Sequence, residues 1–195
     1  MASERRDQIA RVALQLIAER GVASLTTSTL AKALGVTTGA LFRHYRSMDA
    51  LLVEVAARVE RELLTTLPVP GPEPLERIAS FVRARAGLVG GDPGVLRLVL
   101  SEQFSLALPA KAANTLHGVV VRTREALVKV LSHGVAIGAV RTDVPVDDLA
   151  LIIMGTTRML ALAQDQQKRR TASDGDVVRT LMKLLQPPTS KGRRT

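Results

Sequence analysis

Thr37, Thr38, Gly39 and Ala40 follow one another where a short helix is expected to begin. Threonine hydroxyls can hydrogen-bond base edges or phosphates, and the methyl groups of threonine and alanine can touch a thymine methyl. No bulky side chain intervenes, so a backbone carrying these residues can come close to its ligand. Thr26, Thr27 and Ser28 bring the same chemistry upstream, and Arg43, His44 and Arg46 add groups that can meet an anion downstream. This is chemistry for binding rather than for making bonds. The chain has no cysteine, which removes disulfides and Cys-ligated metals and suits a reducing cytoplasm. Its three histidines, His44, His117 and His133, lack metal-ligand spacing. A P-loop, a dinucleotide glycine fingerprint and an HExxH pattern are also missing. No catalytic residue, metal or cofactor is expected.

The elements that must hold these residues are helical throughout. Ile9, Val12, Ala13, Leu16 and Ile17 recur at the spacing of one apolar helix face, after Ser3 as a candidate N-cap. Gly21 supplies a left-handed stop. Thr26 can cap a second helix whose inward residues are Leu30, Ala31 and Leu34, and Thr37 can cap a third with Leu41 and Tyr45 inward. Only Gly35-Val36-Thr37 joins them, and two short helices across a glycine turn make a helix-turn-helix signature. Ser47 can cap a longer helix carrying Leu51, Leu52, Val55, Ala56, Val59 and Leu63, and the prolines at 68, 70, 72 and 74 then interrupt the pattern.

Beyond them, helices are expected from Leu75 to Gly90-Gly91, from Asp92-Pro93 to about Glu102, and from Pro109 to about Ala136. Two more follow, over Val146–Gln167 and around Val177–Leu185. The fold class is therefore all-α. An N-terminal three-helix domain over 1–47 precedes a helical domain over 48–188, whose first segment, 48–67, is a connecting helix. Residues 189–195 form a basic tail expected to be disordered.

Hydrophobic residues make up 46% of the 195 and aromatics only 2%, so a core of Leu, Val, Ala and Ile can be built and wholesale disorder is excluded. The net charge of +9 points to a polyanionic partner, nucleic acid before membrane. Residues 1–48 hold seven Arg and Lys against three acids, a local excess of +4. The basic runs at 168–170 and 191–194 read as solvated ends. The most apolar stretch, Leu149 to Ala163, is broken by Thr156, Thr157 and Arg158 and is too short to span a bilayer. A charged N-terminus without an apolar stretch carries no signal-peptide pattern, and a cytoplasmic protein is expected.

The segment from Ile9 to Val55 resembles the DNA-binding region of the TetR family. The resemblance rests on Ile9, Val12-Ala13, Leu16-Ile17, Gly21, Leu25-Thr26-Thr27, Leu30-Ala31, Leu34-Gly35-Val36-Thr37, Gly39, Leu41-Phe42, His44-Tyr45 and Leu51. It implies a homodimeric, effector-responsive transcriptional regulator of double-stranded DNA, with repression from a palindromic operator as the usual mode. DNA contacts are then expected from Thr26, Thr27, Ser28, Thr37, Thr38, Gly39, Ala40, Phe42, Arg43, His44 and Arg46. Two positions depart from the family pattern. Phe42 stands where tyrosine is usual and cannot hydrogen-bond a phosphate, and Met48 stands where lysine is common.

The resemblance further implies a small-molecule site among the central helices, and Phe81, Phe104, His117, Met154 and Arg158 are its candidate lining. Aliphatic walls would suit an apolar or amphipathic effector. Arg158 can pair with an anionic ligand, point to solvent, or meet an acid across a dimer. The last two helices are expected to pair with those of a second subunit, through Ile152, Gly155, Thr156, Val178, Leu181 and Leu185. A DNA-binding protein of the same fold, controlled by a protein partner instead of a small ligand, is the alternative.

Overall fold

The computed structural model of the protein describes residues 2–100, 108–167 and 174–188. The described residues form helices α1 (Ala2–Arg20), α2 (Thr27–Leu34), α3 (Thr38–Phe42), α4 (Met48–Leu64), α5 (Pro74–Gly91) and α6 (Pro93–Leu100), with a short 3-10 turn at Val22–Ser24. They continue with α7 (Ala110–Ala136), α8 (Val146–Gln167) and α9 (Asp174–Leu185). Among the described residues there is no strand. The all-α expectation holds. Helix α1 begins at Ala2, so Ser3 lies inside it and is not its N-cap.

Contacts divide the chain into two compact units interleaved in sequence. One comprises Met1–Thr65 and Gly87–Val120, the other Thr66–Ala86 and Val121–Thr195. Helices α5 and α7 each contribute residues to both.

The first unit is organised around α1. Ile9, Ala13, Leu16 and Ile17 are buried as the periodicity predicts, while Val12 is only half-buried. Ala10 and Leu14 are buried as well, which widens the apolar stripe beyond one face. The reason is α6, which packs on α1 while α2 and α4 also pack on it. Asp92 caps α6, its Oδ1 accepting from the N–H groups of Gly94 (2.8 Å) and Val95 (3.2 Å), and Pro93 occupies the first helical position. The start of α6 then lies so near α1 that a Cβ on Gly94 would stand 2.5 Å from the carbonyl oxygen of Leu14. Only a glycine fits that backbone approach.

The second unit closes around a cluster of Ile78, Phe81, Val82, Leu127, Val130, Leu131, Val140, Leu149, Ile153, Leu160, Val178, Leu181 and Leu185. Helices α5, α7, α8 and α9 all contribute to it. The end of α9 is tied down by Arg141. Its N–H donates to Leu185 O (2.9 Å) and its Nη1 to Leu184 O (3.0 Å). The Asp143 carboxylate holds the same guanidinium through two 2.7 Å contacts. A cation on the last carbonyls of a helix also meets the negative end of its dipole. The proline-rich segment before α5 is pinned in the same manner, since the Arg77 guanidinium donates to Pro72 O (3.0 Å) and Val69 O (3.2 Å).

Within this core Arg85 is 9% exposed. It donates to the hydroxyls of Thr66 (2.6 Å) and Thr123 (3.4 Å) and lies 5.3 Å from the centre of the Phe81 ring. Burial pulls its guanidinium down to about 10.

Gly94→Ala and Gly87→Ala should move stability in opposite directions. A Cβ at Gly94 meets backbone, whereas one at Gly87 meets nothing within 4 Å. We expect the first to cost about 1–3 kcal/mol and the second to gain about 0.5–1 kcal/mol, read from denaturant midpoints. Equal midpoints would refute the close α1–α6 approach.

Candidate nucleic-acid interface

The helix-turn-helix segment is built from short-range bonds. Thr26 caps α2 with its hydroxyl accepting from the Thr29 N–H (3.1 Å), while Thr29 Oγ1 accepts from the Thr26 N–H (2.9 Å). This reciprocal box satisfies two donors that the helix end would otherwise leave open. Gly35 ends α2 at φ 65°, and its N–H reaches the carbonyl oxygens of Ala31 and Lys32. Val36 N–H also reaches Ala31 O at 3.0 Å. The chain thereby reverses within three residues, and Thr37 Oγ1 caps α3 by accepting from the Ala40 N–H (3.2 Å). Helix α3 stops at Phe42, but His44 and Tyr45 N–H both reach Leu41 O, at 3.0 and 3.2 Å, so a bonded turn continues it. Ser47 then caps α4 through the Ala50 N–H (3.1 Å).

Leu30, Ala31, Leu41 and Tyr45 are buried, and this fixes which face of the segment points outward. On that face Thr26, Ser28, Thr37, Thr38, Gly39, Phe42, Arg43 and Arg46 are exposed, while Thr27, Ala40 and His44 are half-buried. Phe42 is 48% exposed, an apolar ring on the outward face. A Cβ at Gly39 would meet nothing within 4 Å. The fold of the free protein therefore does not require glycine there. Met48 is half-buried at the first position of α4.

Behind the exposed face the segment is fastened to α1. Arg6 donates from Nη2 and Nε to His44 O, at 3.1 and 3.3 Å, and stacks 5.3 Å from the centre of the Tyr45 ring. The Tyr45 hydroxyl donates back to Arg6 O (3.2 Å). Burial, followed by the field of Glu54, pushes the Tyr45 phenol up from 10.0 to about 12. The sequence reading counted Arg6 only as part of the local positive charge. The Tyr45 side of the contact was legible as an inward aromatic, but nothing in the spacing links it to Arg6.

Residues 9–55 match the family described as bacterial regulatory proteins, tetR family. Residues 9–55 thus form a DNA-binding domain of the TetR family. Among curated proteins, the nucleoid occlusion factor SlmA of Marinomonas sp. (strain MWYL1) is 29% identical over 106 residues, 53% of this chain and 54% of that one. The HTH-type transcriptional regulator AcrR of Shigella flexneri is 41% identical over 54 residues, 28% of this chain and 25% of that one. The chain thus spans about half the length of the SlmA relative and a quarter of AcrR. Solved structures extend the fold over nearly the whole chain. A tetR-family regulatory protein from Rhodococcus RHA1 superposes with a TM-score of 0.76 at 17% identity, covering 93% of this chain and 96% of that one. AibR in complex with isovaleryl coenzyme A and operator DNA superposes with a TM-score of 0.75 at 18% identity, covering 93% and 97%. The chain has the fold of a TetR-family DNA-binding regulator, with its helix-turn-helix at α2–α3.

The residues expected at an effector site fall in different settings. Phe81 is buried in the second unit's core beneath Arg85, and Met154 is half-buried against the same core. Arg158 is exposed in that unit, and His117 is exposed in the first. Phe104 lies outside the described residues. Arg85 is the cation that burial selects, a residue the sequence reading passed over. Its signal was present, because positions 78, 81, 82, 85 and 89 make one inward stripe and Arg85 sits on it.

The residues expected at a dimer interface also divide. Val178, Leu181 and Leu185 turn into the unit's own core, because α9 presents Val177 and Leu184 outward instead. Ile152 and Gly155 are exposed and Thr156 is half-buried. The apolar residues of α8 form two faces rather than one stripe. Leu149, Ala150, Ile153, Thr157 and Leu160 are buried, while Leu151, Ile152 and Met159 are 66%, 51% and 64% exposed. Among the described residues no helix is long and apolar enough to cross a membrane.

Two outcomes test this description. Gly39→Ala should leave the melting temperature of the free protein unchanged or slightly raised while weakening binding to a selected DNA site at least tenfold. Unchanged binding would place Gly39 away from the bases. The raised Tyr45 phenol implies that its contribution to stability is complete below pH 10 and lost as pH rises through about 12. Tyr45→Phe should therefore flatten the alkaline fall in unfolding free energy over that window. Parallel pH profiles for the two proteins would contradict the burial of the phenol.

Proposed function

We propose that the protein is a homodimeric repressor that binds a palindromic operator and is released from it by a small-molecule effector. The observation that carries this reading is the small-residue start of α3, Thr37 to Ala40, held at the surface by a TetR-family helix-turn-helix. Thr37, Thr38, Gly39 and Ala40 would meet base edges in the major groove. Thr26, Thr27, Ser28, Phe42, Arg43, His44 and Arg46 would meet flanking bases and phosphates. Residues 1–47 then serve as the DNA-binding domain and 48–188 as the effector and dimerisation domain, in the cytoplasm where the DNA is.

Dimerisation is supported by the outward apolar residues of the second unit. Leu151, Ile152 and Met159 on α8 and Val177 and Leu184 on α9 are all exposed in the single chain, and Ile152, Thr156, Val177, Thr180, Leu181 and Leu184 line a groove. A Cβ at Gly155 meets nothing within 4 Å, so no neighbour inside the described chain requires that glycine. Close approach of a partner helix would. Two such subunits must present their recognition helices roughly 34–36 Å apart to enter successive major grooves. An effector releases the DNA only through its preference for a state in which that spacing differs. A hundredfold loss of operator affinity corresponds to about 2.7 kcal/mol of coupling.

The effector is of apolar or amphipathic character, since the core of the second unit is built mainly of aliphatic side chains. AibR, of the same fold, holds isovaleryl coenzyme A and operator DNA in its complex. Control by a protein partner is the second reading, favoured by the similarity to a nucleoid occlusion factor over half of the chain.

Selection from a random DNA library should enrich a two-fold-symmetric site whose affinity falls steeply with salt. Met159→Glu should convert a sedimenting dimer to monomer and weaken that binding by at least an order of magnitude. An asymmetric site, or a variant that stays dimeric with full affinity, would refute the dimer assignment. A screen of apolar and amphipathic compounds against the operator complex should find one that releases the DNA. Release by a protein factor alone would favour the second reading.

A further inference from the structure

We propose that Arg6 and Asp7 form a positioning bracket, one residue gripping the recognition segment and the other gripping α4. The bracket orients Thr37–Ala40 for base contact and passes displacements of α4 to them. This inference rests on the operator-binding function proposed above. Arg6 and Asp7 are adjacent near the start of α1 and reach different elements. The Arg6 guanidinium spans His44 O and the Tyr45 ring, and the Tyr45 hydroxyl returns a bond to Arg6 O. Asp7 Oδ1 receives Arg58 Nη1 of α4 at 3.4 Å, and the other end of the same guanidinium meets Glu62 at 3.1 Å.

The physical need for such a bracket is the length of α3. A five-residue helix cannot hold its own conformation or direction. Leu41 and Tyr45 anchor its inner face, but apolar contacts resist rotation only weakly because they have no direction. Hydrogen bonds to His44 O do have direction. They also place a cation on a carbonyl at the C-terminal end of the recognition turn, where the backbone dipoles favour it. Two N–H groups on one oxygen, a stacked ring and a returning hydroxyl bond together set the azimuth of the segment. The guanidinium so occupied is Arg6, which net charge alone would assign to the DNA backbone. Arg6 and Asp7 are therefore positioning residues, and neither needs to touch DNA.

The test uses the full chain, its selected operator duplex and a scrambled duplex of equal length, each titrated across a range of salt. Arg6→Lys keeps the charge but loses the planar fork. The bracket predicts that it weakens operator binding at least tenfold and scrambled binding less than twofold. The slope of log affinity against log salt should stay as in the wild type. Asp7→Asn and Tyr45→Phe, which keep their shapes, should lower the operator-to-scrambled ratio about threefold with the slope again unchanged. If Arg6→Lys binds normally while Arg6→Ala weakens both duplexes equally and lowers the slope by about 0.9, Arg6 is a phosphate contact and the bracket is overturned. A DNA-free measurement separates this from failure of the operator reading. Arg6→Lys should speed hydrogen exchange at the His44 and Tyr45 amides at least fivefold, and exchange at the wild-type rate would overturn the bracket. A wild-type chain that enriches no DNA site would sink the repressor function and leave the bracket to that exchange result.

Discussion

A helix of one and a half turns has almost no stability of its own, because nucleating the first hydrogen-bonded turn costs more than so few bonds return. Helix α3, Thr38–Phe42, is that short. Everything around it can be understood as supplying what it lacks. The Thr37 cap satisfies a backbone donor at its start, N–H groups beyond Phe42 reach the Leu41 carbonyl at its end, Gly35 reverses the chain at a positive φ, and Leu41 and Tyr45 fasten its inner face. Arg6 adds bonds that have direction. The residues Thr37–Ala40 can stay small because their side chains are not needed to hold the fold. Thr37 is the exception, and even its cap leaves the hydroxyl proton free for another bond.

The first unit meets this need by burying α1 on more than one face. Its neighbours α2 and α4 belong to the N-terminal segment, while α6 returns from much later in the chain. The contact between Gly94 and the Leu14 carbonyl is where that return comes closest. The core around α1 is thus completed by a helix that comes from outside the first 47 residues.

In the second unit the same aliphatic composition serves two surfaces. One face of α8 and one of α9 close the core, and the opposite faces remain apolar and exposed. Leaving five large apolar side chains in water is unfavourable, and a second subunit would cover them. Arg85 is the buried cation of this unit among the described residues. Its depressed basicity follows from burial, and it bonds two threonine hydroxyls and lies over the Phe81 ring.

How much was legible in the residues depends on the range of the forces involved. Helix type, most ends and the caps at Thr26, Thr37, Ser47 and Asp92 follow from local chemistry, since a cap and its donors lie within four residues. The helix-turn-helix and the outward identity of Thr37–Ala40 followed as well, because glycine spacing and apolar periodicity are local patterns. What the sequence by itself could not determine is which polar residue goes inside and which apolar residue stays out. Arg158 and Arg85 both interrupt apolar helices, yet one is exposed and the other buried. Val178 and Val177 differ by one position, and their roles as core and surface depend on the rotation of α9 about its axis. The pairing of Arg6 with His44 and Tyr45 spans 38 residues or more. Those choices are made only when distant helices pack, because burial and directional bonding depend on neighbours that the local chain does not specify.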